Sequence, residues 1–161
     1  MAVGALLSNA IGPMPHGSQF YAYEGRAKTS ETWATGAVLI RDTGELAEAA
    51  ADPVADIMGI AAEAVASAAS NSRARFYPAT ADFTFVVTLE DQANQNHVLA
   101  EANIYADFAF QVDSNGIWYL DENDTTNTAC IIIAPVSDDE IGKTRGRVLA
   151  RFLADITSYQ T

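Results

Sequence analysis

The sequence predicts a mainly β fold, a compact sandwich or small barrel, with an extended N-terminal arm and at most one or two short helices. Strand-like segments recur roughly every 10–15 residues with turn residues between them. Large side chains also alternate: Phe83, Phe85 and Val87 fall on one face of a two-residue period. The length of 161 residues suits one domain better than two. We therefore predict an arm at residues 1–19 and a single β-rich domain at residues 20–161.

The predicted strands follow one another along the whole domain. The first is rich in aromatic residues, and the second is a short apolar run that ends at a tight turn at residues 41–44. A Ser-Asn-Gly turn at residues 114–116 predicts a hairpin between two later strands. The predicted strands are residues 19–27, 37–40, 46–50, 57–64, 73–78, 83–89, 106–112, 117–120, 130–133 and 147–153.

Residues 45–69 give conflicting signals because they are rich in alanine, which favours helix. Asp52-Pro53 interrupts any helix there, since the residue before proline is pushed out of the α region and proline disrupts a helix interior. Gly59 interrupts the segment again. We therefore predict strands here, and a short helix at residues 53–58 or 63–70 is left open.

The net charge restricts the classes of partner. Nine Lys and Arg against 21 Asp and Glu give a formal charge of −12. Binding to nucleic-acid phosphates requires the opposite sign, and anionic membranes would repel such a chain. No stretch approaches the ~20 apolar residues that span a bilayer. We therefore expect neither a nucleic acid nor a membrane as partner.

The distribution of charge is uneven. No Lys or Arg occurs from residue 76 to residue 142, whereas twelve acidic residues do, and basic residues then return near the C-terminus. One interpretation is a solvated acidic face that the later Arg residues neutralise. The other is self-association, in which Arg145, Arg147, Arg151 and Trp33 lie at a subunit interface and the Arg side chains meet the acidic face of the next copy.

Histidine and cysteine offer no catalytic arrangement. His16 lies in the Pro/Gly-rich arm and His97 in a polar segment, and neither is predicted to sit rigidly beside a nucleophile. The single cysteine, Cys130, excludes an internal disulfide and a Cys-based zinc site, and its apolar neighbours predict that it is buried. We predict that the chain is not an enzyme and has no catalytic residue; hydrolysis by an Asp/Glu pair is the remaining enzymatic alternative.

Cofactor and metal patterns are equally weak. The sequence contains neither of the glycine-rich phosphate loops. Asp121 and Asp124 resemble the start of a calcium loop, but Ile132 occupies the place of the bidentate glutamate. We predict no cofactor and no metal site, with a looser calcium site at these acids or at residues 138–140 as the alternative.

The N-terminal arm is unlike an ordinary solvated tail, because residues 1–23 contain no acidic or basic side chain other than His16. Its glycines and prolines prevent a long helix or a central strand. A frayed terminus is one interpretation, and an arm that becomes ordered against a partner surface is the other.

The order of apolar runs and glycines resembles that of a known family. Residues 36–40 (GAVLI) are followed by a turn, residues 45–50 (ELAEAA), Asp52-Pro53, residues 57–61 (IMGIA), hairpins and residues 146–152 (GRVLARF). This arrangement resembles the small head-decoration, or cement, proteins of tailed bacteriophages. The likeness covers most of residues 20–155 as a pattern of strands and glycines, without a diagnostic motif.

The resemblance implies a compact β-tulip-like barrel that is made in the host cytoplasm and trimerises on the outer surface of the virion head. Such a homotrimer would stabilise the head by bridging subunits of the major capsid protein. The arm would add a strand to the capsid surface. The arm residues expected to contact the capsid are Val3, Leu6, Leu7, Ile11, Pro13, Met14 and Phe20.

The alternative function is a β-sandwich module of a phage tail or fibre that recognises host carbohydrate. Trp33, Trp118 and Tyr119 would then form an exposed platform on which sugar rings stack. Burial of the two tryptophans would count against this alternative.

Overall fold

The computed structural model describes residues 13–16, 21–80, 82–93 and 96–157. Within these ranges the chain is mainly β, with strands in two sheets around one continuous hydrophobic core. The fold class predicted from the sequence is therefore confirmed. No helix in the described ranges is both long enough and apolar enough to cross a membrane.

The strands occupy nearly the positions that the alternation predicts, with ends shifted by a few residues. They are β1 Met14–Pro15, β2 Tyr23–Arg26, β3 Val38–Asp42, β4 Glu45–Glu48, β5 Ile57–Ala61, β6 Arg73–Pro78, β7 Phe85–Glu90, β8 Asp107–Val112, β9 Trp118–Asp121, β10 Cys130–Pro135 and β11 Arg147–Phe152. Three short 3₁₀ turns lie between or after them, at Glu101–Asn103, Asp138–Glu140 and Ala154–Ile156.

Five strands form a closed barrel, which we call the first barrel. Its order is β7-β11-β10-β8-β9, and a parallel pairing of β9 with β7 closes the ring. Leu89 lies opposite Leu120 in that pairing, and Glu90 lies opposite Asp121. Since closure removes exposed strand edges, most backbone groups of these strands are hydrogen-bonded within the barrel.

The other sheet, the second sheet, has the order β2-β6-β5-β3-β4. Its two outer strands meet at one parallel bridge between Ala27 and Leu46, where the amide of Lys28 donates to the carbonyl of Leu46 at 2.9 Å. Before this point β2 and β4 are not paired. The second sheet therefore curls towards a barrel that stays open along part of one seam.

Aromatic side chains fill the first barrel. Phe85 lies with its ring centroid 4.9 Å from that of Phe152 and 5.9 Å from that of Phe110, and all three are at most 4% exposed. Trp118 meets the edge of Phe110 at 6.2 Å. Such offset and edge contacts add to the free energy gained from burying the rings.

Polar contacts fasten the second sheet to the first barrel. The indole N–H of Trp118 donates to Glu48 Oε1 at 3.0 Å, and the amide of Asp52 donates to the carbonyl of Phe110 at 2.9 Å. The side-chain amide of Gln111 donates to both carboxylate oxygens of Asp52, at 2.9 and 3.0 Å. The junction is therefore held by directional bonds as well as by the shared core.

The Ala-rich stretch forms strands and loops, as predicted, but the short helix that was left open there is not present at residues 53–58 or 63–70. Asp52, Asp56 and Ser67 adopt positive φ angles of 55°, 57° and 47°. These left-handed residues end any right-handed helix before a full turn forms. The 3₁₀ turns lie elsewhere, at segments for which no helix was predicted.

Candidate functional site

Part of the predicted arm lies on the first barrel as an edge strand. Met14 pairs with Val86 and Pro15 with Phe85 in antiparallel β1, and the amide of His16 donates to the carbonyl of Thr84 at 2.8 Å. A proline is tolerated in this position because an edge strand has one side without ladder bonds. β1 therefore fixes the point at which the N-terminal segment joins the domain.

Of the arm residues predicted to contact a capsid, Pro13 is buried beside β1 and Met14 is half-buried within it. Val3, Leu6, Leu7, Ile11 and Phe20 lie outside the described residues. The capsid contact of the arm stays a prediction.

A groove opens along the seam of the second sheet where β2 and β4 separate. Its volume is about 280 Å³, slightly below the range of roughly 300–1,000 Å³ that is usual for small-molecule sites. Leu46, Met58 and Phe76 give it an apolar floor, and Tyr23 stands at its rim with 59% of its surface exposed. Leu46 and Phe76 are only 2% and 3% exposed, so the groove exposes little apolar surface beyond the half-buried Met58 and the ring of Tyr23.

Gly25 is essential to the shape of the groove. A Cβ atom at this position would lie 2.7 Å from Leu46 Cδ1 and 3.3 Å from Phe76 Cε1, closer than such atoms pack. The missing side chain lets β2 lie directly on Leu46. The sequence shows a glycine within the predicted strand at residues 19–27, but it does not show that β4 approaches there.

Apart from the bridge to Leu46 at its C-terminal end, the backbone of β2 is bonded to β6 only, so far as the described residues show. Tyr23–Arg26 pairs with β6, and the amide of Ala27 donates to Ser72 O at 2.9 Å. Because ladder bonds alternate along an antiparallel pair, this bond places the N–H and C=O of Glu24 on the opposite edge, facing the groove. The groove therefore contains an unpaired donor and acceptor beside its apolar floor.

Charged side chains around the groove are already paired. Arg26 Nε lies 2.6 Å from Glu45 Oε1, and Glu24 forms a longer ion pair of 3.3 Å with Arg73. Arg41 pairs with Asp56 at 3.0 Å. On a chain of net charge −12, this rim is close to electrically neutral.

The residues predicted for a subunit interface lie in different environments in the single chain. Arg145 and Arg147 pair with the buried Glu90 and Glu140, at 2.9 and 2.7 Å. Trp33 is only 3% exposed and donates from its indole N–H to the carbonyl of Glu63. Arg151 is exposed on β11. The structure does not bring these four together as one surface, and their role in a subunit interface stays a prediction.

Glu140 organises the loop that precedes β11. Its Oε2 accepts from the amide of Arg147 at 2.8 Å, and its Oε1 accepts from Arg147 Nη2 and, more weakly, from Lys143 at 3.4 Å. Burial raises the pKa of this carboxyl, but the hydrogen bonds and charge of Arg147 outweigh burial, and the net shift is downward. The only sign of this role in the sequence is weak: Glu140 is followed by Lys143 and Arg147, three and seven positions later.

A second buried acid, Glu90, ends β7 and is 1% exposed. Its Oε1 accepts from Arg145 Nη2 and from the hydroxyl of Thr88, both at 2.9 Å. Its Oε2 is buried without a hydrogen-bond partner among the described residues. The carboxylate therefore depends on Arg145 for its compensation, which fixes the loop containing Arg145 against β7.

Acidic groups also gather at the junction of the two sheets. Burial raises the pKa of Asp52, and the charges of Asp124 and Asp121 raise it further. Hydrogen bonds from Asn127 and Thr126 lower the pKa of Asp124. Among the residues that the structure describes, no three His, Cys, Asp or Glu side chains are arranged to hold a metal ion.

His97 is held more firmly than its polar surroundings in the sequence indicated. Its Nε2 lies 3.1 Å from Asn103 Oδ1, and its Nδ1 lies 3.7 Å from Glu122. The same Asn103 oxygen accepts from the amide of Ala100 at 2.8 Å. Both ring nitrogens thus face partners that position the loop, and neither approaches the fully buried Cys130 within a hydrogen bond.

The alternative function required an exposed platform of three aromatic rings, and that exposure is wrong. Trp33, Trp118 and Tyr119 are 3%, 1% and 2% exposed. Burial, followed by the charge of Asp121, raises the pKa of Tyr119 to about 12, as expected of a phenol inside the protein. Trp118 and Tyr119 are neighbours on β9 and face opposite sides of it, and both are buried because every residue of this strand is covered. Spacing in the sequence did not reveal that cover.

The fold and site together define a two-sheet β protein with a strand-like N-terminal junction and, among the described residues, a groove whose rim is close to electrically neutral. Comparison with known proteins finds no matching family model and no matching curated sequence.

Proposed function

We propose that the chain is a structural virion protein that binds the outer surface of a tailed-phage head. Acting as a homotrimer, it bridges major capsid protein subunits and stabilises the head. The proposal rests on one observation above all: the uncharged N-terminal segment joins the domain as an edge strand, β1, on a closed barrel.

This junction suits an arm that acts by strand addition. Backbone bonds at Met14 and Pro15 anchor the chain, and residues 1–12 before them contain no charged side chain. An uncharged segment can lie against a protein surface without the desolvation penalty that buried charges carry. Main-chain hydrogen bonds would supply affinity, and apolar side chains would supply specificity.

Ordering such an arm costs conformational entropy, about 1–2 kcal/mol per residue for the backbone. A single arm therefore binds weakly unless its buried area is large. A homotrimer overcomes this because engagement of one arm raises the effective concentration of the other two, which increases overall affinity by roughly 10²–10⁴-fold.

The direct test is sedimentation with phage heads from which the protein is missing. The labelled full-length chain should bind saturably. Heads that are already covered by the unlabelled chain should bind little of the labelled chain. A variant lacking residues 1–12 should lose at least about 100-fold in affinity while its circular dichroism stays unchanged. Val54→Ala, an exposed position outside the arm and outside the predicted subunit interface, serves as the matched control and should bind normally.

Two results would refute the proposal. Absence of saturable binding to heads at micromolar protein would remove the function altogether. If the truncated variant binds heads as tightly as the full-length chain, the arm has no part in head binding.

A further inference from the structure

The turn between β8 and β9 contains the one Asn-Gly sequence of the chain, at Asn115-Gly116. The side chain of Asn115 is exposed, and a Cβ atom added to Gly116 would meet nothing within 4 Å. The tip of this hairpin is therefore held by hydrogen bonds within the turn and gains little from packing against the barrel. Such a turn can open locally while the strands below it stay paired.

Asp113 accepts most of the hydrogen bonds that hold the turn. Its Oδ1 accepts from the amides of Asn115 and Ile117 at 2.8 and 2.9 Å, and its carbonyl oxygen accepts from the amide of Gly116 at 3.0 Å. The amide of Asp113 donates to the carbonyl of Ile117 at 2.9 Å. Since Gly116 has a φ of 78°, this is a three-residue hairpin loop with glycine in the left-handed position.

An exposed asparagine followed by glycine can lose its side-chain amide without an enzyme. The backbone nitrogen of Gly116 attacks Cγ of Asn115 and gives up its proton, the Cγ–Nδ2 bond breaks, and ammonia leaves a five-membered succinimide. Water then opens the ring at Cγ, which gives aspartate, or at the main-chain carbonyl carbon, which gives an isoaspartyl link. Glycine favours the attack because it has no Cβ to obstruct the close approach of its nitrogen.

The folded turn opposes this reaction. The attacking nitrogen of Gly116 must release a proton that is held in the hydrogen bond to the carbonyl of Asp113. The backbone of Asn115 must also turn away from the conformation that Asp113 Oδ1 fixes. In addition, the Asp113 carboxylate disfavours a negative charge on the nearby nitrogen. The bonds to Asp113 therefore have to open before the succinimide forms.

The products change this part of the molecule in two ways. Each event replaces a neutral amide by a carboxylate, within a stretch from residue 76 to residue 142 that contains no Lys or Arg. The isoaspartyl product also inserts Cβ of residue 115 into the main chain, so the amides of Gly116 and Ile117 lose their register with Asp113. The hairpin β8–β9 is loosened at its turn, and β9 is the strand that closes the first barrel.

We propose that Asn115 is the preferred deamidation site of the folded protein and that Asp113 sets the rate by holding the turn closed. Water is the only co-reactant, so the reaction needs neither an enzyme nor a cofactor. Asp113 is a positioning residue, since it acts through the geometry of Asn115 and Gly116. This inference does not depend on the proposed binding to phage heads.

Timed incubation of the purified protein at pH 8 measures the reaction. Pepsin is used for digestion, because trypsin finds no Lys or Arg between residues 76 and 142. Tandem mass spectrometry then locates each amide that has become an acid, and a methyltransferase specific for isoaspartate detects the altered link. Asn127 is the internal control, because Thr128 follows it and its side-chain amide donates to Asp124 Oδ2 at 2.9 Å. Asn115 should lose its amide first.

Two neutral variants of Asp113 test its role as a matched pair. Asp113→Ala removes the acceptor Oδ1, whereas Asp113→Asn keeps an oxygen acceptor at that position. Loss of two hydrogen bonds should make Asn115 deamidate at least about fivefold faster in Asp113→Ala than in Asp113→Asn. Hydrogen exchange at the Gly116 amide should accelerate by a similar factor, because it reports opening of the same turn without any modification.

Three outcomes would overturn the proposal. Deamidation of Asn115 that is no faster than that of Asn127 removes the site. Equal rates at Asn115 in Asp113→Ala and Asp113→Asn remove the role of Asp113. A joint acceleration of Asn115 and Asn127 in Asp113→Ala shows that general unfolding sets the rate, which also removes that role. None of these measurements involves phage heads, so they leave the proposed function to its own test.

Discussion

Replacing Glu140 with glutamine should destabilise the protein strongly, because this one carboxylate holds the loop before β11. Its two oxygens accept three hydrogen bonds, two from Arg147 and one from Lys143. The Glu140 side chain is 4% exposed and that of Arg147 is 21% exposed, so the pair is poorly screened by water. The neutral amide would leave Arg147 without a compensating charge.

The magnitude follows from the degree of burial. Removing one partner of a fully buried ion pair destabilises by roughly 3–5 kcal/mol. Arg147 retains some solvent contact and its amide can still donate to the glutamine oxygen, so we expect the lower end, about 3 kcal/mol. For a chain of this length that corresponds to a fall in Tm of about 6–12 °C.

Urea unfolding followed by tryptophan fluorescence measures this difference at pH 7. The pH dependence gives an independent check, because the pKa of Glu140 is lowered from 4.5 in the folded state. The stabilisation is therefore complete above about pH 4.5 and is lost as pH falls through the lower, folded-state pKa. The stability gap between wild type and Glu140→Gln should narrow over that range.

Asp139→Asn provides the control, since it removes an exposed acid from the same 3₁₀ turn. It should change the unfolding free energy by less than about 0.5 kcal/mol. The reasoning fails if Glu140→Gln matches the wild type within that margin at pH 7, or if the gap between them is the same at pH 3.

Three further predictions test other parts of the structure. Burial and neighbouring carboxylates raise the pKa of Asp52, so its charge opposes folding above that pKa; Asp52→Asn should raise the urea midpoint relative to wild type at pH 7 and lose this gain near pH 3. Gly59→Ala would place Cβ 1.9 Å from the carbonyl oxygen of Tyr77, and should destabilise by at least about 3 kcal/mol in a thermal melt, whereas Gly44→Ala, with nothing within 4 Å, should lose only about 1–2 kcal/mol to its positive φ. Burial raises the pKa of the Cys130 thiol, so a thiol reagent should label the native protein far more slowly than the unfolded chain; equal rates would contradict its burial.

Local pattern was sufficient for most of the fold. Alternation identified Phe83–Val87 and its neighbours as strands because inward and outward positions differ in polarity at every second residue. Residues 73–78 were predicted with the bounds that β6 has. The Asp52-Pro53 break correctly argued against a long helix in the Ala-rich stretch, although the short helix left open there proved wrong.

Charge pattern was less informative about the candidate site. Two interpretations of the C-terminal Arg residues were possible, and Arg145 and Arg147 are engaged with Glu90 and Glu140 of the same chain. Arg145 and Glu90 are 55 residues apart, and no local pattern in the sequence reveals that two such distant residues form an ion pair. The exposed aromatic platform was wrong for a related reason: the sequence shows that Trp118 and Tyr119 are large, but not that β9 is covered on both faces.

The sequence by itself determined the β class, the acidic surface and the neutrality of the N-terminal segment, because these depend on residue type and short-range spacing. Only the tertiary structure decided that β9 closes the first barrel on β7, that β1 lies on the same edge, and that β2 and β4 separate to form a groove. Each of these requires segments distant in sequence to meet in one register. That register is set by packing of the whole core, which no local window contains.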